Sequence, residues 1–499
     1  MVVFRAVCAC LLRTRRGIMK PMHAQPLYQR LAEYYRAAIQ SGALPPAARI
    51  PSVRSMVRTH QVSLSTALQV CRRLEDDGLV EARPRSGYFV RRPAAPRLAP
   101  ATEPDMRAAA DPARYVGIHD RVSNFVALCE QHDLSINFAL AAAEPGAYPH
   151  HALRQAMSRA LRLNPELLTS RAPAQGAPQL RAVLARRAWD CGIRAKPEDI
   201  VVTHGCIEAL NLALRAVARP GDTIAVESPT YFGLLQILES LGLRALEIPT
   251  SPQRGLSVEA LEHALHTQPA IRAVVVVPNL QNPLGCVMPD DDKQRLLEVC
   301  VAHGIALIED DTYGALADDG PQRAIKHWDE AGNVIYCSSL HKTLAPGMRL
   351  GWIMGGRWHA RIDMLKFAQS RPNEAAGQLA AAAYMGTKAF DRHLLRLRGQ
   401  LTRQRQHAAD TIAREFPPGT RLSLPPGGML LWVELPQQVS GTAVFEAALS
   451  AGIRVAPGAM FSNSGRYDHY LRLSCAEPDP RKAEQAIARL AAIVISLQK

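Results

Sequence analysis

Apolar residues recur along this chain with two different periods, and the change of period divides it. Near the start the spacing is helical: Leu27, Leu31, Tyr34, Tyr35 and Ala38 share a face that Gly42 ends. Val53, Met56 and Val57 predict a second helix entered at Pro51-Ser52, and Gln61-Val62 makes the turn into a third. That third helix turns Ala67, Val70, Cys71 and Leu74 inward, with Ser63 as its N-cap and Gly78 as its stop. Two short runs, 79–82 and 88–90, flank Pro84-Arg85-Ser86-Gly87 and read as a hairpin. Three helices followed by a hairpin make a winged helix-turn-helix. From about residue 134 the pattern changes. Apolar runs at 200–202, 223–226, 273–277, 305–308, 334–337 and 353–354 alternate with helical patterns such as 208–218, 234–241 and 291–302. Such alternation predicts an α/β domain with a mainly parallel sheet covered on both faces and ligands at the strands' carboxyl ends. A C-terminal section from about 394, with apolar stretches at 427–434 and 470–474, adds a small α+β part.

Composition narrows the class. With 499 residues, 47% of them apolar, the chain can bury two or three domain cores. No apolar run is as long as a membrane span. Residues 1–21 have their arginines after the apolar piece and lack a small-residue cleavage site, so they read as an unstructured leader rather than a secretory signal. Ten scattered cysteines without a repeated Cys-x-x-Cys predict no metal site and no disulfide framework, as in a reduced cytoplasmic protein.

Charge is uneven. The first 97 residues hold 17 lysines and arginines against five acidic residues, so +12 of the net +14 lies there. A basic small head on a near-neutral body predicts an acidic polymer as partner of the head alone. Between them, 94–134 contains Pro96, Pro100, Pro104 and Pro112 and is expected to be a linker, with a short helix near 124–131. A flexible chain of about 40 residues spans roughly 35 Å.

In the head (22–93), Arg54, Arg83 and Arg85 suit phosphate contacts. Ser63, Ser65 and Thr66 begin the third helix, where side chains reach base edges, although capping competes for Ser63. Pro-Leu-Tyr at 26–28, Pro-Ser-Val-Arg at 51–54, Val-Ser at 62–63, Leu-Glu-Asp-Asp-Gly at 74–78 and Ser-Gly-Tyr-Phe-Val at 86–90 resemble the GntR family of bacterial repressors. The resemblance implies binding to a double-stranded DNA operator, with Gly87 in the wing. Two positions depart from it: Ala48 stands where a glycine is common, and Leu64 where an arginine usually touches DNA.

The body's chemistry centres on Lys342, which follows the apolar run 334–337 and is flanked by Ser338, Ser339 and Thr343, then Pro346-Gly347 and Arg349. A desolvated lysine of lowered pKa can attack an aldehyde, and Ser339 and Arg349 can hold a phosphate. Thr203-His204-Gly205-Cys206 is a strand, a turn and a helix start whose amides suit an anion. Tyr231 can lie on an aromatic ring, Asn282 sits in an Asn-Pro-Leu-Gly turn, and 309–313 puts carboxylates just past a strand. In order and spacing these motifs resemble fold-type I aminotransferases, enzymes of pyridoxal 5'-phosphate (PLP), over 135–499. The resemblance implies that Lys342 forms the internal aldimine, Asp310 pairs with the ring nitrogen, and Asn282 and Tyr313 bond the ring hydroxyl. Tyr231 would stack on the ring, and Gly205, Cys206, Ser339 and Arg349 would hold the phosphate. Arg472 matches an arginine that takes a substrate carboxylate. The family's usual tyrosine ahead of Gly176 is replaced here by Arg171.

A GntR-like head on an aminotransferase-like body looks like the MocR subfamily of transcription regulators. That implies a homodimeric, PLP-binding regulator that senses an amino compound, or PLP itself, at Lys342. An active aminotransferase with an accessory DNA-binding head is the alternative.

Overall fold

A computed structural model describes residues 26–41, 43–45, 48–83, 87–90, 98–268 and 270–498, in two units that divide after Ala95.

In the head, α1 (Leu27–Gln40), α2 (Val53–His60) and α3 (Leu64–Asp76) precede β1 (Val80–Arg83) and β2 (Gly87–Val90). The local chemistry explains the breaks. Ser52 accepts the Ser55 N–H at 3.2 Å and Ser63 accepts the Thr66 N–H at 3.1 Å, each satisfying an orphan donor of a first turn. Leu31, Tyr35, Met56, Ala67, Val70, Cys71 and Leu74 form the core, as the helical spacing predicts. Leu27 and Tyr34, expected on that face, are instead 51% and 56% exposed, because Ala32 turns inward beside Leu31. The antiparallel pair β1–β2 is widened by 48–50, where Val90 N donates to Ala48 O and Ile50 N to Tyr88 O.

The body is built on a nine-stranded sheet. In chain order its strands are β3 (Arg114–Tyr115), β5 (Ile200–Thr203), β6 (Thr223–Ser228), β7 (Arg244–Ser251), β8 (Gly255–Leu256), β9 (Ile271–Val276), β10 (Ala306–Asp310), β11 (Val334–Ser339) and β12 (Gly351–Met354). A two-residue strand β4 (Ile136–Asn137) lies outside it. The spatial order is β3-β7-β6-β9-β10-β11-β12-β5, with β8 on β7. The run β7 to β11 is parallel, and β12 is antiparallel to both of its neighbours. All six expected strands are present with bounds within two residues of those expected; Val277 and Ile305 fall just outside β9 and β10. Strand β7 was not foreseen because Arg244, Glu247 and Pro249 interrupt its apolar pattern.

A smaller sheet orders β13 (Arg421–Leu422), β14 (Leu430–Glu434), β17 (Tyr470–Ser474) and β16 (Ala456–Pro457), while β15 (Ile453–Arg454) pairs with β4. The 28-residue helix Lys388–Glu415 runs through the point near 394 where the C-terminal section was expected to begin. Residues 98–134, expected in the linker, are held on the body instead. Ala99 bridges Arg421, Thr102 bonds Glu434 through N and Oγ1 at 2.7 Å each, and β3 pairs with β7. The proline spacing correctly reports irregular backbone, but irregular backbone can still be satisfied by an adjacent domain. The expected short helix is His119–Glu130, and Glu239 accepts the N–H groups of Ile118 and His119 at its start.

No helix among the described residues is long and apolar enough to cross a membrane, and none of their His, Cys, Asp and Glu side chains cluster as metal ligands. The described cysteines are free thiols.

Candidate functional site

Five loops, after β5, β6, β9, β10 and β11, meet at one end of the sheet and enclose a cavity of about 270 Å³. The register brings Ser339, Gly351 and Thr203 side by side, so the loops after β11 and β5 are neighbours despite their distance in sequence. Gly205, Cys206, Tyr231, Asn282, Asp310, Tyr313, Ser339, Lys342 and Arg349 all line this cavity, and β17 contributes Arg472.

One wall is an anion cradle. Gly205, at φ 80°, is the N-cap of the helix Cys206–Val217, whose first amides carry its positive end. Arg349, at φ 51° in the left-handed region, donates through Nη2 to His204 O at 3.3 Å. A Cβ at 205 would lie 3.1 Å from that Nη2, so glycine serves both the backbone angle and the approach of the guanidinium. A buried network sets the turn. Glu208 accepts from the His204 N–H at 2.6 Å and from Lys366 Nζ at 2.8 Å, and Asn373 donates to Thr203 O at 3.0 Å.

Asp310 lines the same cavity. The Thr312 N–H and Oγ1 and the Cys206 thiol all donate to Oδ1, at 3.1, 2.6 and 3.3 Å, leaving Oδ2 outside these bonds. Burial raises the Asp310 pKa, and those donors and Lys342 oppose the rise. Tyr231 is folded back over its own helix start: a Cβ at Gly233 would lie 2.5 Å from its ring, so the tyrosine's placement depends on that glycine.

Lys342 Nζ donates to Ala141 O at 2.5 Å and lies 5.5 Å from the centroid of the Tyr313 ring. Burial, then the positive charge of Arg472, lowers its pKa to about 8, while Asp310 works the other way. Arg472 is buried, and burial lowers its pKa too. Its Nη1 donates to Asn282 Oδ1 at 3.2 Å and its Nη2 bonds Ala139 O, while Nε finds no acceptor among the described residues. None of the ion pairs among the described residues includes Arg472, so a buried cation faces the cavity without a carboxylate.

Sequence reasoning missed three participants. The 139–141 segment accepts from both Lys342 and Arg472, yet its Ala-Leu-Ala carries no chemical signal. Thr312 was legible only as the residue after two aspartates. Lys366 sits in a helix about 160 residues from its partner Glu208, and no spacing could join them. Arg171 is exposed and does not line the cavity.

In the head, Arg54 is exposed on α2, and Ser63, Ser65 and Thr66 open α3 as expected. The side chain of Arg83 and all of Arg85 lie outside the described residues. Gly87 has φ 100°, and a Cβ there would meet Arg49 Nε at 3.2 Å.

A winged helix-turn-helix carried in one chain with a body whose lysine, carboxylate, arginine and anion cradle share one cavity defines a transcription regulator built on an aminotransferase fold. Residues 131–490 match the family Aminotransferase class I and II, and residues 27–90 match Bacterial regulatory proteins, gntR family. The uncharacterised HTH-type transcriptional regulator YjiR of Escherichia coli K12 is 38% identical over 93% of this chain and 97% of its own length. The probable rhizopine catabolism regulatory protein MocR of Rhizobium meliloti is 27% identical over 95% of this chain and 94% of its own. Among solved structures, kynurenine aminotransferase of Pyrococcus horikoshii in complex with PMP superposes with a TM-score of 0.71 at 28% identity, covering 76% of this chain and 95% of that one. The chain belongs to the MocR-type transcription regulators of the GntR family, whose body is a class I and II aminotransferase domain. PLP is the cofactor of that domain family.

Proposed function

We propose that the chain is a PLP-dependent, sequence-specific regulator that acts in the cytoplasm as a homodimer and senses an amino compound at Lys342. The observation that carries this is the shared cavity of a lysine whose pKa is lowered to about 8, a carboxylate with one uncommitted oxygen and a buried arginine whose Nε has no acceptor among the described residues. These residues fit the cofactor. When bound, PLP supplies an aldehyde reactive toward amines and a ring that withdraws electrons. The amides after Gly205, with Ser339 and Arg349, hold the phosphate dianion. Asp310, whose Oδ2 lies outside its other hydrogen bonds, would pair with the ring nitrogen and favour its protonated form, and Tyr231 would pack against the ring. Lys342 would be the amine that meets the aldehyde, and its lowered pKa of about 8 makes the neutral form accessible close to neutral pH. Arg472, with Nε free, takes the effector's carboxylate. Leu140 and Ile207, 53% and 40% exposed at the cavity, support a second copy covering its mouth.

Effector binding alters DNA affinity only through its different affinities for two arrangements of the chain. The deciding experiment follows the absorbance of the PLP-loaded protein, and its operator affinity, as amino acids are added. The spectrum is expected to shift and then hold, with operator affinity changing over the same concentrations. Sustained accumulation of keto acid would instead make the body a working aminotransferase.

Two variants probe the parts separately. Arg54→Ala is expected to weaken operator binding and lower the slope of log affinity against log salt by about one. An unchanged slope in a salt titration removes Arg54 from the interface. Replacing Lys366 by Met together with Glu208 by Gln removes both charges of the buried pair that sets the cradle. The protein's preference for PLP over unphosphorylated pyridoxal is expected to fall about tenfold. Equal losses for both ligands would mean that the pair supports only the fold.

A further inference from the structure

Helix α3 presents hydrocarbon where a helix-turn-helix reads DNA. Leu64 and Leu68 are 58% and 36% exposed, while the buried face of the same helix is made by Ala67, Val70, Cys71 and Leu74. At i and i+4 the two leucines stack on one side of α3, about 6 Å apart along its axis. The exposed Arg72 continues the row one turn further. The hydroxyls of the first turn are engaged with one another. Ser63 Oγ accepts the Thr66 N–H and lies 2.8 Å from both Ser65 Oγ and Thr66 Oγ1. Of the large groups left facing outward on its first two turns, Leu64 and Leu68 are apolar and Gln69, beside Leu68, is polar.

A single exposed leucine needs no explanation. Two of them, stacked on the opening turns of the second helix of a helix-turn-helix, occupy the positions that contact base edges in the major groove. The head's strongly basic character, with Arg54 and Arg58 exposed on α2 and Arg72 on α3, favours DNA over a protein partner as its occupant. In the major groove, the apolar feature that distinguishes one base from the others is the C5 methyl of thymine. We propose that Leu64 and Leu68 read thymine methyl groups at two positions about two base-pair steps apart in each operator half-site, with Arg72 on the adjoining phosphate. The proposal rests on the DNA-binding reading and adds the base chemistry that the head selects.

The test uses the full-length chain loaded with PLP and a duplex that the wild type has selected from a random library. Each thymine is replaced in turn by uracil, which removes the methyl group alone, and affinity is read by fluorescence anisotropy. At two thymines per half-site the wild type is expected to lose about fourfold per methyl. Leu64→Ala or Leu68→Ala should lose a similar factor on the thymine duplex, show no further loss on the corresponding uracil duplex, and keep the wild-type salt slope, since a leucine displaces no counterions. Uracil tolerated at every position, or equal losses by the variants on both duplexes, overturns the methyl readout while leaving DNA binding intact. A wild type that selects no duplex at all overturns the DNA-binding reading and this proposal with it.

Discussion

Replacing Lys342 by alanine is expected to leave a folded protein that takes up PLP but can no longer be fixed to it by borohydride. The cradle and Asp310 are built on other elements, so noncovalent uptake through the phosphate survives the substitution. Peptide mapping of the reduced wild type should find the cofactor on Lys342. A reducible adduct in the variant would place the chemistry on another lysine. The same amine sets a pH dependence. Capture of the aldehyde needs the neutral form, so its rate should rise about tenfold per pH unit below about 8 and level off above it. Stability follows with a definite sign. Between about 8 and the ordinary 10.5, the unfolded chain binds a proton at Lys342 that the folded chain does not. The cofactor-free wild type should therefore gain stability with rising pH across that window, relative to the alanine variant. Urea unfolding of both proteins at several pH values reads the difference.

Arg472→Ala should abolish discrimination between an effector amino acid and the amine that lacks its carboxylate. The guanidinium is buried, two of its nitrogens are held by Asn282 and Ala139, and Nε has no acceptor among the described residues. An incoming carboxylate would gain charge-assisted hydrogen bonds in a site of low polarity, so the loss for amino acids should be about 100-fold, with little change for simple amines. Arg472→Lys should recover only part of it, because an ammonium cannot present a planar pair of donors. Spectral titration of the PLP-loaded protein with each ligand separates the cases. Equal weakening toward amino acids and amines would make Arg472 a support of the fold.

Much of this molecule was legible before its structure. In the head, the periodicity of Ala67, Val70, Cys71 and Leu74 and the caps Ser52 and Ser63 located α2 and α3, because caps and faces are local properties of a helix. In the body, the sheet's strands were visible as short apolar runs, since strands buried on both faces must be apolar throughout. Strand β7 was hidden for the converse reason, carrying Arg244 at its edge and a buried Glu247 that accepts the Asn463 N–H. The candidate site was legible as a set of loop motifs, but their order along the chain did not say which would touch.

The sequence alone determined the elements, the basic head, the aminotransferase-like body and the identity of the lysine, carboxylate and arginine, because each depends on neighbouring residues or on a short motif. The tertiary structure decided what depends on elements distant in the chain. It laid 98–134 on the body, joined Lys366 to Glu208 behind the Gly205 turn, and set Arg472 of the small sheet against Asn282 with one nitrogen unpaired. It also turned Leu64 and Leu68 outward on α3. These are consequences of burial and of strand order, and both are properties of the assembled chain rather than of any segment of it.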